Sequence, residues 1–171
     1  MKIILIGLPG SGKTTLGREL ARSLQLPFVD LDNEIEKTEG AAIKVIFSEK
    51  KEDYFRQLES NVLKKWCASS DSFVMATGGG APCFFDNMEQ INRAGTSIFL
   101  DVSSQEIIRR MMASKIEERP LLAASGVDGL KEKIESMRAN RIGFYQQAHV
   151  TLTGTTIELQ QALGALANIK S

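Results

Sequence analysis

Eight residues near the start of the chain, Gly7-Leu8-Pro9-Gly10-Ser11-Gly12-Lys13-Thr14, have the types and spacing needed to grip a polyphosphate. They fit G-x-x-x-x-G-K-[ST] in full, after a short apolar run and before a stretch of helical period. The glycines permit positive φ and bring successive amides to bear on phosphate oxygens. The N-terminus of the following helix adds partial positive charge at the same point. Lys13 supplies a full charge for the outer phosphates, and Thr14 offers a hydroxyl to Mg²⁺. Gly10, Ser11, Gly12, Lys13, Thr14 and Thr15 are therefore the candidate contacts for a nucleoside triphosphate such as ATP. The motif alone does not distinguish a kinase from an ATPase, a GTPase or a switch.

Further acids, glycines and arginines suggest a second ligand. Asp30-Leu31-Asp32 ends the second apolar run, and alternation along an extended segment puts both carboxylates on one side. Ligands of open α/β sheets bind outside the carboxyl ends of strands. One acid can thus help hold Mg²⁺ through water while the other accepts the proton of an attacking hydroxyl. Alternatively, Asp32 caps the helix that follows and Asp30 is solvated. Gly78-Gly79-Gly80 follows the third run, and three glycines in a row favour close approach of backbone to a ligand over a simple turn. Arg56, Arg119, Arg138 and Arg141 stand singly. Each on its own is more simply a solvated surface arginine, but Arg119-Pro120 lies where a lid is expected and can stabilise a transferring phosphoryl group. Arg110 leads into that lid and can stack its guanidinium on a base.

The elements that must position these residues alternate along the chain. Apolar runs at 3–6, 28–29, 73–76, 97–100 and 150–152 read as strands buried on both faces. Helical patterns occupy 14–24, 52–68, 106–113 and 130–147. Capping boxes at Ser103–Glu106 and in Thr155-Thr156-Ile157-Glu158 open the fourth-strand helix and the last helix. The alternation predicts a parallel sheet covered by helices. Two stretches break the rhythm, a helical insertion from 32 to about 55 and an irregular polar segment at 114–128. Such excursions in compact domains serve as substrate-binding segments or lids.

With 171 residues, 43% hydrophobic and 25% charged, the chain suits one soluble domain. Lys+Arg and Asp+Glu both number 21, so no charge excess points to nucleic acid or a membrane. Cys67 and Cys83 show no metal-ligand spacing and no disulfide framework. No apolar run reaches bilayer length, and the opening strand breaks at Gly7 without a cleavage-like site, so a cytoplasmic location is expected. His149 borders the last strand, and Trp66 lies on an apolar helix face. Both read as structural.

Taken together the segments resemble the shikimate kinase family nearly end to end. The carriers are the 7–14 loop, Phe28-Val29-Asp30-Leu31-Asp32 with Glu34-Ile35-Glu36, residues 52–59 around Phe55-Arg56, Gly78-Gly79-Gly80-Ala81, Arg119-Pro120-Leu121-Leu122, and Arg141 with Tyr145. The resemblance implies a three-layer α/β fold of the P-loop NTPase type. Its central five-stranded parallel sheet has order 2-3-1-4-5, with helices on both faces, in a single kinase domain spanning 1–171. That domain includes a substrate-binding segment at about 32–60 and a lid at about 114–126. The implied reaction is ATP-dependent phosphorylation of the 3-hydroxyl of shikimate by a monomer without nucleic-acid or membrane partners.

It also implies roles. Lys13 and Thr14 serve ATP and Mg²⁺, with Asp30 supporting the metal. Asp32 acts as base or orienter, and Arg56 and Arg141 clamp the substrate carboxylate. Gly78, Gly79 and Gly80 line the pocket, Arg119 closes over the phosphates and Arg110 lies near the adenine. Asn140-Arg141-Ile142-Gly143 departs from the family's Lys-Arg-Ala-Pro, which leaves Arg138 as a competitor for the carboxylate. The short Thr153-Gly154-Thr155-Thr156 loop lacks the charged residue often found near the base. A related kinase acting on gluconate or a nucleoside monophosphate, or a non-catalytic nucleotide-binding module, are the alternative functions.

Overall fold

The computed structural model describes residues 1–115 and 126–169. Five strands, β1 (Lys2–Ile6), β2 (Phe28–Asp30), β3 (Phe73–Ala76), β4 (Thr96–Asp101) and β5 (Val150–Thr153), form one sheet in the order β2-β3-β1-β4-β5. All four pairings are parallel. Every apolar run is a strand, with at most one further residue at either end.

Burial on both faces explains why these runs lack alternation. Ile4, Ile6, Met75 and Phe99 enter one core. Ile3, Leu5, Val74, Ile98 and Leu100 enter the other. Both cores rest on the same strands, so neighbouring residues point into opposite cores. Helices α1 (Lys13–Ser23) and α7 (Leu159–Ile169) supply Leu16, Leu20, Ala162 and Leu166 to the second core. Elements α2 (Leu31–Glu39), α3 (Ile43–Ala68), α5 (Ser104–Lys115) and α6 (Gly126–Tyr145) pack mainly into the first.

A short helix α4 (Asn87–Ala94) was not anticipated from sequence; it buries Met88 and Ile91, three residues apart, against the first core. It ends at Gly95, whose backbone runs directly against β1. A Cβ there would lie 2.3 Å from the Lys2 carbonyl oxygen. We expect Gly95→Ala to force the β1–β4 edge apart and cost about 1–3 kcal/mol, read as a lowered chemical-denaturation midpoint. An unchanged midpoint would show that the strand ends yield freely.

The insertion between β2 and β3 is two helical pieces. Within α3 the backbone breaks at Lys51, with φ 68 and ψ 170, so residues 43–50 and 52–68 run as separate helices. Both pieces are tied to α2, one on each side of the break. Lys50 Nζ lies 2.6 Å from Glu39 Oε1, and Tyr54 Oη donates to the same carboxylate at 2.8 Å.

The two predicted capping boxes differ in outcome. Ser103 Oγ accepts from Glu106 N at 3.3 Å, as expected, but the Glu106 carboxylate turns to Arg109 and Arg110. The last helix starts later than Thr155-Thr156-Ile157-Glu158 suggested. There Gln161 Oε1 accepts from Glu158 N at 2.8 Å, and the Thr155 carbonyl is drawn away to Arg110. Among the described residues no helix is long and apolar enough to cross a membrane. His149 serves structure: its Nδ1 accepts from Ser97 N at 3.2 Å and its own amide donates to Ser97 Oγ at 2.9 Å.

Candidate active site

The central strand β1 is flanked by β3 on one side and β4 on the other, so the chain direction of the crossovers reverses there and opens a crevice. The 7–14 loop fills its floor. Gly7, Gly10 and Gly12 take φ of 146, 81 and 94, conformations that side-chain-bearing residues rarely adopt. Gly12 caps α1 without a side-chain bond, leaving the first amides of the helix to a ligand.

Lys13 is buried and turns back on its own loop. Its Nζ donates to the Gly7 and Leu8 carbonyls, each at 2.9 Å. Burial, only partly opposed by Asp32, lowers its pKa to about 8. The ammonium is present below that value and is lost as pH rises through it. Affinity for a non-hydrolysable ATP analogue in the Mg²⁺ form should therefore fall roughly tenfold between pH 7.5 and 9. A calorimetric Kd that stays flat across that interval would show that the ammonium does not titrate there.

Asp30 and Asp32 divide their work differently from the alternation argument. β2 stops at Asp30 and α2 begins at once, so Asp32 belongs to the first helical turn and not to an extended segment. The helix cap is Asp30, whose Oδ1 accepts from Asp32 N at 3.1 Å and Asn33 N at 3.4 Å. Asp32, the residue suspected of capping, is thereby released toward the cleft. Burial, with Asp30 close by, raises the Asp32 pKa above the ordinary aspartate value.

Each glycine of the triplet faces other site residues. A Cβ at Gly78 would lie 3.1 Å from both Asp32 Oδ1 and Glu59 Oε1. One at Gly79 would lie 2.6 Å from Pro9 Cδ, and one at Gly80 would lie 2.6 Å from Arg56 Nη2. None of the three needs positive φ. Close approach is thus the reason for the glycines, but the groups that approach are protein side chains.

Arg56 is held on several sides. Nη1 donates to Glu59 Oε2 at 2.8 Å, Nε donates to Glu52 Oε1 at 3.3 Å, and the guanidinium lies 4.3 Å from the Phe84 ring centroid. Glu59 is 1% exposed, and burial raises its pKa despite the Arg56 charge. Sequence reasoning missed Glu59, Phe84 and Pro9. Glu59 stands three residues from Arg56 on one helix, a spacing that could have revealed it; Phe84 and Pro9 meet the site only through tertiary packing.

Arg138 and Arg141 share a face of α6 but differ in surroundings. Arg138 Nη2 is paired with Asp101 Oδ1 at 2.7 Å, at the tip of β4. Arg141 carries no such ion pair among the described residues, and its charge reaches Lys13, Glu59 and Cys83. Arg110 is anchored through all three guanidinium nitrogens, bonds that lie in its plane and leave its faces open. Its Nε donates to Glu106 Oε1 at 2.8 Å, Nη1 donates to the Gly10 carbonyl at 3.1 Å and Nη2 bonds the Thr155 carbonyl. It thus ties the phosphate loop to the loop after β5. Arg119 lies outside the described residues.

Two hollows meet at this point. One, about 390 Å³, is lined by Ser11, Gly12, Thr15, Arg110, Ile157 and Leu159 among others. The other, about 530 Å³, is lined by Lys13, Thr14, Asp32, Thr77, Gly78 and Gly79 among others. Gly12, Thr15 and Arg110 border both. Among the described residues no cluster of three or more acids, histidines or cysteines is suited to hold a metal alone. Thr14 and Asp30, the residues expected at Mg²⁺, would therefore hold it only together with phosphate oxygens and water.

Comparison with known proteins agrees with this geometry. The family model described as shikimate kinase matches residues 9–168. A shikimate kinase of Bacteroides fragilis is 42% identical over 158 residues, covering 92% of this chain and 87% of that protein. The crystal structure of a shikimate kinase from Bacteroides thetaiotaomicron superposes with a TM-score of 0.86 at 37% identity, covering 99% of this chain and 96% of that one. A shikimate kinase from Acinetobacter baumannii in complex with shikimate gives 0.80 at 33% identity, covering 99% and 90%. With that family model spanning almost its whole length, and the cleft arranged as described, the chain belongs to the shikimate kinase family.

Proposed function

We propose that this protein transfers the γ-phosphoryl group of ATP to the 3-hydroxyl of shikimate, releasing shikimate 3-phosphate and ADP. The carrying observation is that Lys13, Thr14, Asp32, Gly78 and Gly79 line one hollow, so triphosphate grip and acceptor groups share a single space. The whole chain serves as one kinase domain, with residues 32–60 as the acceptor segment.

In this reading the amides of Gly10, Ser11, Gly12, Lys13, Thr14 and Thr15 hold the phosphates, and the Lys13 ammonium leaves the Gly7 and Leu8 carbonyls to meet them. Thr14 and Asp30 would hold Mg²⁺, which would supply charge neutralisation on the phosphates. Arg56 and Arg141 take the ring carboxylate as planar forks, with Gly78, Gly79 and Gly80 forming the pocket wall. That orientation directs a ring hydroxyl at Asp32. As its oxygen bonds to the γ-phosphorus, the proton passes to the Asp32 carboxylate, and the bond to the bridging oxygen of ADP breaks. The raised pKa of Asp32 makes it a better proton acceptor than an exposed aspartate. Arg119 neutralises the moving phosphoryl group, and Arg110 borders the adenine hollow while bracing the phosphate loop.

The deciding assay is ADP release with shikimate, gluconate and a nucleoside monophosphate offered one at a time. Shikimate-dependent turnover well above the ATPase background is expected, with little response to the other two. Preference for either of those, or no acceptor-dependent turnover, would overturn the assignment.

A further inference from the structure

Residues 138, 141 and 145 lie on one face of α6, at spacings of three and four. The outer two are anchored. Arg138 is paired with Asp101 at the tip of β4. Tyr145 is fully buried, packs its ring 5.0 Å from that of Phe99 on the same strand, and donates its Oη hydrogen to the Gly79 carbonyl at 2.6 Å. Arg141 stands between these anchors, and its charge reaches Lys13 and Glu59.

Gly79 is itself covered by Pro9, whose ring occupies the position where a side chain would stand. The next residue, Gly80, bears on the Arg56 guanidinium. A chain of contacts therefore runs from Tyr145, one helical turn beyond Arg141 on α6, through Gly79 and Gly80 to Arg56. We infer that the Tyr145 hydroxyl is a positioning group that fixes the separation of the two guanidinium forks, a role resting on the assignment of Arg56 and Arg141 to the acceptor carboxylate.

The chemistry of the phenol suits this task. A hydroxyl both donates and accepts. Here it donates to the Gly79 carbonyl, while Arg141 stands one helical turn back on the same face of α6. Burial holds its pKa up at about 12, so the donor hydrogen is present at any working pH. Removing the oxygen leaves the Gly79 carbonyl unpaired in a part-buried place and frees α6 from it. Ring packing on Phe99 would persist.

The test is Tyr145→Phe, alone and in an Arg141→Lys background. The single variant should show a shikimate KM raised about tenfold, an ATP KM within twofold of wild type and an unchanged thermal midpoint. In the Arg141→Lys background the same change should add less than twofold, because it acts through a fork already lost. An unchanged shikimate KM, equal rises in both KM values, an additive effect in the double variant, or loss of the folded state by circular dichroism would each overturn the role. Wild-type turnover is measured alongside. Its absence with shikimate removes the acceptor assignment together with this role, whereas normal wild-type turnover beside an unresponsive Tyr145→Phe removes the role alone.

Discussion

Asp32→Asn should lower kcat by about 10²–10⁴-fold while the Kd for ATP stays within a few-fold of wild type. The amide is nearly the same size and keeps a carbonyl-type oxygen toward the acceptor, but it cannot take up a proton. Asp32 sits in the first turn of α2, released from capping by Asp30, and its carboxylate approaches Gly78 within the distance of a methyl group. Burial raises its pKa, so the free enzyme should lose kcat/KM as pH falls through a value above the ordinary aspartate range. The sign is fixed: the charged form is active, and it is depleted on the acid side. The acid limb should vanish in Asp32→Asn, leaving a low, flat residual rate. Equal kcat in the two proteins, or an unaltered acid limb, would remove Asp32 from proton transfer.

Arg56→Lys is expected to act on the other half of the reaction. The guanidinium is fixed by Glu59, Glu52, Phe84 and the bare face of Gly80, which leaves its geometry little freedom. An ammonium keeps the charge but cannot present a planar fork, nor stack equally on Phe84. Loss of a charge-assisted bidentate contact costs about 2–3 kcal/mol, or roughly 30–150-fold in the shikimate KM. The value of kcat at saturation should change far less. Stability should also decline modestly, because Glu59 remains buried with a poorer partner. A KM indistinguishable from wild type would place the carboxylate clamp elsewhere.

Much of this site was legible before any coordinates. The 7–14 loop carries its own explanation, since each residue type answers a requirement of phosphate binding. The five strands were equally clear, because burial on both faces leaves unbroken apolar runs. What escaped depended on contacts distant in sequence. The purpose of Gly78, Gly79 and Gly80 lies with Asp32, Glu59, Pro9 and Arg56, none of them a near neighbour in the chain. Spacing put Arg138 and Arg141 on one helix face and could not choose between them. Only the ion pair to Asp101, at the end of a different element, separates them. The exchange of roles between Asp30 and Asp32 turned on where β2 stops, and a shift of one or two residues at an element boundary is the least legible feature of a sequence. Helix α4 was missed for a related reason, being short and carrying few apolar residues.

The account as a whole rests on triphosphate and acceptor meeting in one hollow, and a crystal structure of the protein with ADP and shikimate bound tests this directly. The ring carboxylate should lie between the guanidinium groups of Arg56 and Arg141, with a ring hydroxyl within hydrogen-bond distance of Asp32 and turned toward the phosphates held by Lys13. Shikimate bound elsewhere, or bound with its carboxylate toward Lys13 and its hydroxyls away from Asp32, would contradict it.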